Sequence, residues 1–337
     1  MTAEGRPRRI PVYVVLQPRT LLLDVAGPLE VLRRTNREQA DVRFHVHYIG
    51  PSASVLSSVG ITLSDIEPLP DSLPADTMIL LAGDVDQVMT PTGQLARADS
   101  GAQQTAIVDW LRAVFRPGHT LISICSGALL AGRAGLLDGR SCTTHYGSCA
   151  ELAVLAPKAR VLENRLYVED GNLYSSAGVT AGVDLMLHIV SRLTSHRCSA
   201  AVARYLVVYL RRGGADPQLS PWLEGRNHLH PAVHRLQDTI TQNPAKAATL
   251  RSLARASGVS SRHLTRLFHE NTGMSITAYR NRLRVAIAHE LLSHTSLDME
   301  SISERAGFGS TRQLRRAWNV LYSSPPRETR PHAGAYR

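Results

Sequence analysis

Apolar and polar positions follow two different patterns along the chain, and the change falls near residue 210. Before it, short apolar runs typical of buried strands alternate with segments whose apolar residues recur every three or four positions, as in helices. The predicted strands are 11–16, 42–49, 77–81 and 120–124, and the predicted helices are 24–37, 105–115, 126–134 and 181–193. This alternation predicts an α/β domain with a mostly parallel, flavodoxin-like sheet sandwiched by helices.

Glycine and proline interrupt every regular pattern from residue 211 to residue 227, which predicts a linker there. We therefore expect a first domain at 9–210 and an all-helical second domain at 228–330. The helix that leads into the linker carries Tyr205, Tyr209 and Leu210, a stripe that we interpret as core or dimer surface.

The second domain contains one pattern twice. Residues 249–280 align with residues 298–330 at an offset of 49 before the turn and 50 after it. Each copy predicts a helix-turn-helix, in which Thr249 or Asp298 caps the first helix and Gly258 or Gly307 supplies the positive φ of the turn. One such hairpin is weak evidence, but two copies in register favour a doubled DNA-reading motif.

The helix after each turn carries polar and basic residues between its apolar positions, as a helix that enters the major groove does. The candidate DNA-binding residues are Ser261, Arg262, His263, Thr265 and Arg266 in the first copy and Ser310, Thr311, Arg312, Gln313, Arg315 and Arg316 in the second. We expect the first copy to carry more specificity, because Pro325 and Pro326 follow the second copy and leave it less firmly held.

Between the two copies, apolar residues recur along one predicted helical face at positions 276, 279, 283, 287 and 291. They predict one amphipathic helix over 275–294, about 30 Å long. A connector of that length is suited to placing two recognition helices in successive major grooves of one duplex.

Charge supports a nucleic-acid partner. The chain of 337 residues has a net charge of +10, and residues 211–337 hold 19 Lys and Arg against 9 Asp and Glu, which accounts for all of it. Such a surface can neutralise phosphates, although it also suits an acidic protein or a membrane surface. No lipidation motif or basic block favours the membrane, the apolar runs are too short to span one, and no secretory signal is recognisable. Four cysteines then suggest reduced thiols in a cytoplasmic protein.

One stretch of the first domain carries candidate chemistry. Residues 121–128 run from a buried strand through a small-residue turn into a helix, with Cys125 at the corner, as in a nucleophile elbow. The helix N-terminus is expected to lower the thiol pKa and to aim backbone N–H groups at an oxyanion. A small cysteine packed in a tight corner explains the pattern equally. Cys142, His145 and Cys149 lack a fourth ligand, so we expect no metal and no cofactor.

Several stretches resemble known proteins. Residues 23–31, 121–128, 134–140, 143–145 and 176–184 resemble the PfpI-like branch of the class I glutamine amidotransferase-like superfamily. The two turns and the ending at 325–330 resemble the AraC-family DNA-binding domain, with Thr329 where an aromatic residue is usual. Together they resemble the amidotransferase-like AraC transcriptional regulators. Asp84 stands where the superfamily often has a second glycine, which puts a complete oxyanion hole in doubt.

The resemblance implies roles for individual residues. Asp24 and Cys125 fall on the acid and the cysteine of the superfamily's enzymes, and His145 falls on a downstream histidine. These three residues are vestigial catalytic candidates, and we expect no catalysis. Asp24 is equally explained as the N-cap of its helix, and His145 as a hydrogen-bonded residue of the cleft. The candidate ligand-binding residues are Asp24, Gly83, Cys125, Ser126 and His145.

The expected function is a sequence-specific DNA-binding transcriptional regulator, controlled by a small metabolite bound near Cys125. The expected partners are double-stranded DNA, the small-molecule effector, a second copy in a homodimer, and RNA polymerase. Two alternatives stay open. One is a cysteine-dependent hydrolase or hydratase, similar to isonitrile hydratases, with an appended DNA-binding module. The other is a redox-sensing regulator that acts through Cys125.

Overall fold

The computed structural model describes residues 7–89, 95–96, 101–208, 212–214, 218, 228, 230–246, 249–322 and 325–329, and the chain divides into two compact units, 1–218 and 219–337. The strands are β1 (Arg8–Val15), β2 (Val42–Gly50), β3 (Val55–Leu56), β4 (Thr62–Leu63), β5 (Glu67–Pro68), β6 (Met78–Leu81), β7 (Val88–Met89), β8 (Leu95–Ala96), β9 (Thr120–Ile124), β10 (Ser141–Cys142), β11 (Arg160–Val161), β12 (Tyr167–Asp170) and β13 (Leu173–Ser176). The helices are α1 (Leu22–Glu38), α2 (Gly101–Val114), α3 (Gly127–Arg133), α4 (Cys149–Leu155), α5 (Thr180–Leu193), α6 (His196–Tyr205), α7 (Pro231–Gln242), α8 (Leu250–Ala256), α9 (Ser261–Thr272), α10 (Ile276–His294), α11 (Met299–Arg305) and α12 (Thr311–Leu321), with 3₁₀ turns at Tyr146–Ser148 and Pro326–Thr329. Most of the predicted linker, with Tyr209, Leu210 and Arg330, lies outside the described residues.

The first unit is built on a seven-stranded sheet. Its strand order is β12-β13-β9-β6-β1-β2-β5, and every neighbouring pair is parallel except β12 with β13. The predicted mostly parallel sheet is therefore confirmed. Because β1, β6 and β9 run in one direction, their carboxyl ends meet at one edge, where ligand sites of open α/β sheets form.

Helices cover both faces of this sheet, as the apolar pattern predicts. On one face, residues of α1, α5 and α6 pack with inward side chains of β1, β2 and β6 in one continuous core. On the other face, α2, α3 and α4 pack against the opposite side chains of β6 and β9. Since the strands are buried on both sides, they read as continuous apolar runs, which explains why the sequence predicted them well.

The second unit contains both predicted helix-turn-helix motifs, α8–α9 and α11–α12. The hydroxyl of Thr249 accepts a hydrogen bond from the Ser252 N–H at 3.1 Å, and the carboxylate of Asp298 accepts one from the Ser301 N–H at 2.8 Å. Both predicted caps are therefore confirmed. Gly258 and Gly307 have φ values of +71° and +83°, as the predicted turns require.

The connecting helix α10 exists as predicted, but its buried face differs from the predicted stripe. Ile276, Tyr279 and Leu283 are buried in the first motif's core, whereas the second motif's core buries Val285, Ala288 and Leu292. At about 100° per residue, these two sets lie on nearly opposite sides of the helix. The predicted positions 287 and 291 are only half-buried. The single stripe was wrong because each half of α10 packs on a different motif.

Hydrogen bonds and a close backbone contact join the two motifs. The Arg284 guanidinium of α10 donates hydrogen bonds to the carbonyls of Pro244, Ala245 and Lys246, at 2.7, 3.2 and 3.4 Å, in the loop before α8. The same loop packs against the turn of the second motif, where a Cβ atom on Gly307 would lie 2.4 Å from the Ala245 Cα. This contact fixes the first motif against the second.

The second motif is well anchored, contrary to the expectation drawn from the two prolines. Trp318 of α12 is fully buried and stacks on His289 of α10, with ring centroids 5.7 Å apart. Its ring also packs on Tyr322, and the Pro326–Thr329 turn buries Pro326 beyond it. The helix ends at Leu321, before the two prolines, and the aromatic stack holds it there.

Within the described residues, no helix is both long enough and apolar enough to cross a membrane.

Candidate functional site

Cys125 lies at the corner between β9 and α3, at the carboxyl edge of the sheet. Its φ of +56° is a left-handed conformation, which L residues with a side chain rarely adopt and which turns the chain sharply from strand to helix. The residue is 8% exposed, and its N–H donates to the Ser176 carbonyl at 3.0 Å. The predicted elbow geometry is therefore present, with the thiol in a nearly closed space.

Asp24 reaches this corner from the first turn of α1. Its Oδ1 accepts a hydrogen bond from the Val179 N–H at 2.6 Å, and its Oδ2 accepts one from the Gly83 N–H at 3.2 Å. The side chain is fully buried, and the N-cap position of α1 is occupied by Leu21, so Asp24 lies inside the first turn. The N-cap interpretation of Asp24 is therefore wrong, because the carboxylate points into the cleft and ties two loops together.

Two glycines let the backbone close around the cysteine. A Cβ atom on Gly83 would lie 2.6 Å from the Asp24 Oδ2 and 2.8 Å from the Cys125 Cβ. On Gly178, whose φ is +84°, it would lie 2.2 Å from the Cys125 Cβ. No side chain fits at either position, so the site is a narrow space bounded by backbone. Asp24, Gly83, Cys125 and Ser126 thus meet at one point.

Burial, rather than the helix terminus, controls the thiol. It raises the pKa of Cys125 to about 12, and the neighbouring Asp24 carboxylate adds to the rise. The expectation of a lowered pKa is therefore wrong: α3 has only 7 residues, and the favourable Ser126 N–H is outweighed. Burial likewise raises the pKa of Asp24 from 3.8 to about 6, against the lowering effect of the Val179 and Gly83 amides. Near neutral pH the thiol is protonated.

Two backbone N–H groups of the loop that faces the elbow are already engaged. The Gly83 N–H donates to Asp24, and the Asp84 N–H donates to the Ser126 hydroxyl at 2.9 Å. That hydroxyl in turn donates to the Asp84 Oδ1 at 2.9 Å. An amide that already donates to a carboxylate cannot stabilise a developing oxyanion without first breaking that bond.

Asp84 is also the centre of a polar network that sequence reasoning missed. Its Oδ2 accepts from the Arg19 guanidinium at 3.1 Å and from the Gln104 amide at 3.0 Å. Both side chains of the Arg19–Asp84 pair are largely buried, at 15% and 17% exposure. The only sequence signal was Asp84 itself, which interrupts an apolar strand end at a position where a glycine was expected.

His145 adjoins the corner through its neighbour. The Thr144 hydroxyl donates to the Cys125 carbonyl at 2.7 Å, which holds the following residue at the cleft. The His145 ring accepts from the Gly147 N–H at 3.3 Å and packs on Tyr146, and burial lowers its pKa. The hydrogen bond and the ring contact of His145 are therefore with the 3₁₀ turn and not with the thiol. Among the described residues, no group of His, Cys, Asp and Glu is arranged to hold a metal ion.

The second candidate site is the polar face of the two recognition helices. In α9, Arg262, Thr265 and Arg266 are exposed, while Ser261 and His263 are half-buried. The side chain of Arg266 lies 3.3 Å from the His263 Nδ1 and forms an ion pair with Glu270 at 3.9 Å. One of the two arginines on this helix is thus partly neutralised by its own helix.

The corresponding face of α12 is more cationic. Arg312, Gln313, Arg315 and Arg316 are exposed, Thr311 is half-buried, and within 249–322 no described acidic side chain pairs with the three arginines. Ser310 caps the helix by accepting from the Gln313 N–H at 3.3 Å. The Gln313 Oε1 accepts from the Gly309 N–H at 3.1 Å. The amide Nε2 of Gln313 is left to donate outward.

Comparison with known proteins identifies both domains. The sequence profile of the DJ-1/PfpI family matches residues 11–192, and that of a helix-turn-helix domain matches residues 253–332. The chain is similar to the HTH-type transcriptional regulator GbdR of Pseudomonas aeruginosa, with 27% identity over 310 residues, 92% of this chain and 81% of the relative. It is also similar to the isonitrile hydratase of Pseudomonas putida, with 31% identity over 243 residues, 70% of this chain and 97% of the relative.

A solved structure supports the fold. A ThiJ/PfpI family protein from Pseudomonas syringae matches with a TM-score of 0.50 at 18% identity, over 77% of this chain and 94% of that one. The parallel sheet, the elbow at its carboxyl edge and the family profile agree on the first unit, and the doubled motif agrees with the profile of the second. The chain belongs to the DJ-1/PfpI family, in a form that carries a C-terminal AraC-type helix-turn-helix domain.

Proposed function

We propose that this protein is a sequence-specific DNA-binding transcriptional regulator whose first domain senses a small metabolite at the Cys125 elbow. The observation that carries this is the pair of recognition helices, each anchored by its own core while its arginine-bearing face is exposed. Two such helices on one shared α10 form a bipartite reader of a duplex. The similarity to GbdR, which is named a transcriptional regulator and matches over 92% of this chain, supports the same function.

The first domain binds rather than catalyses. A protonated thiol is a poor nucleophile, and the Gly83 and Asp84 amides of the loop opposite the thiol donate to Asp24 and Ser126 rather than to an oxyanion. The same closed polar space suits recognition of a small ligand, since its few polar groups converge from three loops. A ligand at Asp24, Gly83, Cys125, Ser126 and His145 regulates DNA binding if it binds one arrangement of the protein more tightly than another.

A hydratase-like activity is the second candidate, and the similarity to isonitrile hydratase favours it. In this reading, Asp24 would act as the acid and Cys125 as the nucleophile. Purified full-length protein incubated with isonitriles and amides separates the two functions. Turnover at enzymatic rates that disappears in Cys125→Ala would establish the enzyme; no turnover in either protein leaves the sensor.

Redox sensing through Cys125 requires a reactive thiolate, which the raised pKa opposes. Peroxide treatment of the parent and of Cys125→Ser, followed by measurement of operator affinity, tests it. A loss of affinity in the parent alone would promote redox sensing over metabolite sensing.

The regulator itself is tested by selecting DNA fragments with the purified protein and footprinting the best one. We expect protection of two adjacent major grooves per subunit and an affinity that falls steeply with salt. The operator then points to neighbouring genes, and metabolites of their pathway are screened by thermal shift. A footprint confined to one groove would contradict the bipartite reader.

Dimerisation through the first domain is part of the proposal. A fragment of about residues 228–337 keeps both motifs, so it should bind the operator more weakly than the full chain, because it loses the second subunit. Sedimentation of the full chain and of the fragment gives the oligomeric state of each. Equal affinity of fragment and full chain would remove dimerisation from the mechanism.

A further inference from the structure

The chain segment that leaves the first unit is bound to that unit at three points. The Arg212 guanidinium donates to the Asp184 Oδ2 at 2.9 Å and to the Thr180 hydroxyl at 2.8 Å. The Gly214 carbonyl accepts from the Leu166 N–H at 3.1 Å. The Gln218 Nε2 donates to the Thr144 carbonyl at 2.8 Å. Arg212, Gly214 and Gln218 are therefore all attached to the first unit, and the second unit begins at residue 219.

The docking depends on a close backbone approach at Gly214. A Cβ atom there would lie 2.6 Å from the Tyr167 carbonyl oxygen and 2.8 Å from the Tyr167 ring. Any side chain at this position forces the segment away from β12. The Arg212–Asp184 ion pair also holds the segment in place, because the Asp184 side chain is only 3% exposed and a buried carboxylate without its charged partner is strongly destabilising.

Two of these anchors lie on residues that belong to the elbow or directly adjoin it in sequence. Thr180, which binds Arg212, directly follows Val179, whose N–H donates to Asp24. Thr144, whose carbonyl binds Gln218, uses its hydroxyl to hold the Cys125 carbonyl. Arg212 and Gln218 thus bind residues on the two sides of the elbow, Thr180 and Thr144, and their hydrogen bonds do not include Asp24 or the thiol.

We propose that the elbow passes its signal on through the segment anchored by Arg212, Gly214 and Gln218. Occupancy of the site and attachment of these three residues are coupled through Val179–Thr180 and through Thr144. This inference rests on the proposed sensing function and adds how the signal leaves the first unit. A ligand that moves the Val179 amide or the Cys125 carbonyl shifts the balance between a docked and a released segment.

Release changes the tether of the DNA-binding unit. An extended chain spans at most about 3.4 Å per residue, so freeing 212–218 adds roughly 24 Å of reach. A longer flexible tether lowers the effective concentration at which a second DNA-binding unit meets its half-site. Docked and released segments therefore present paired DNA-binding units differently, which is the two-state element that regulation requires.

The test measures amide hydrogen exchange by mass spectrometry on the full chain without any ligand. Gly214→Val releases the segment, and Gly118→Val is the matched control, because a Cβ on the exposed Gly118 meets nothing within 4 Å. We expect Gly214→Val to accelerate exchange at peptides containing Gly83 and Val179 by about fivefold or more, and Gly118→Val to leave them unchanged.

The reverse arm uses Asp24→Asn, which keeps the size of the side chain but leaves it with one acceptor oxygen for two N–H groups. We expect faster exchange of the Arg212 and Gln218 amides, which the docked segment holds against Asp184 and Asn164. Elbow peptides that exchange like the parent in Gly214→Val, or equal acceleration in Gly118→Val, would overturn the coupling. Because no ligand is used, failure of the coupling is distinguishable from failure of metabolite sensing, which the thermal-shift screen decides.

Discussion

The two turn glycines of the DNA-binding unit offer a matched pair, because they occupy equivalent positions in unequal surroundings. Both have positive φ, so an alanine at either position meets a left-handed strain of about 1 to 2 kcal/mol. A Cβ on Gly258 meets nothing within 4 Å, whereas one on Gly307 would lie 2.4 Å from the Ala245 Cα and 2.5 Å from its carbonyl oxygen. Only Gly307→Ala adds a clash with backbone.

That backbone cannot move away easily, because Arg284 holds the carbonyls of Pro244 and Ala245. Forcing extra volume into such a contact costs about 1 to 3 kcal/mol. We therefore expect Gly258→Ala to lower the opening free energy of its own motif by about 1 to 2 kcal/mol, and Gly307→Ala to lower that of the second motif by about 2 to 5 kcal/mol.

Hydrogen exchange of the α8–α9 and α11–α12 peptides measures these opening free energies, and fluorescence anisotropy with the operator measures binding. Because the displaced loop leads into α8, Gly307→Ala should also weaken operator binding by about tenfold or more, whereas Gly258→Ala should weaken it far less. Equal destabilisation by the two substitutions would refute the reasoning, since the strain shared by both glycines would then be the whole effect.

Three further predictions concern the two candidate sites. Since the pKa of Asp24 is raised from 3.8 to about 6, the folded chain binds more protons than the unfolded chain in that range, and stability should fall by about 2 kcal/mol between pH 4 and pH 7 on account of this group. Thermal unfolding of Asp24→Asn across pH should lack that slope. With its pKa at about 12, Cys125 should react with iodoacetamide at pH 8 far more slowly than free cysteine, and rapid alkylation of the native protein would contradict the buried thiol. The Cys125→Ala variant should bind the operator without ligand nearly as tightly as the parent. Arg266→Ala and Arg316→Ala should each weaken operator binding by roughly 1 to 3 kcal/mol if the arginines read bases. If they contact phosphates instead, the substitutions should weaken binding to all DNA sequences alike. Variants that bind the operator like the parent would exclude these helices as readers.

The backbone of the site could be predicted from the sequence, whereas its electrostatics could not. The sequence from Leu121 to Ala128 predicts a strand, a turn and a helix, because each of these has its own local pattern of residues. The pKa of Cys125 depends instead on burial and on Asp24, which is 101 positions away, and no local pattern carries either quantity. The same holds for the Asp84 network, whose partner Arg19 comes from the loop after β1.

The docked segment was missed for a different reason. Glycine and proline predict an irregular linker at 211–227, but irregular chain can still be bound, and the partners of Arg212 and Gln218 lie tens of residues away. A signal did exist in α5, where Asp184 stands among the buried residues Leu185 and Met186. A carboxylate in such a position predicts a buried cation nearby, which the structure supplies as Arg212.

The opposed faces of α10 bear on which operators such a protein can acquire. Each inserted residue would turn the second motif by about 100° and advance it by about 1.5 Å, so only steps of about seven residues, roughly 10 Å, restore its direction. If α10 lies along the duplex, 10 Å corresponds to about three base pairs, and three base pairs turn the groove by roughly 100°. A seven-residue step therefore restores the direction of the second motif but not its alignment with the groove. Small insertions in α10 should not create new spacings between the bases that the two motifs of one chain read, so we expect that spacing to be nearly invariant.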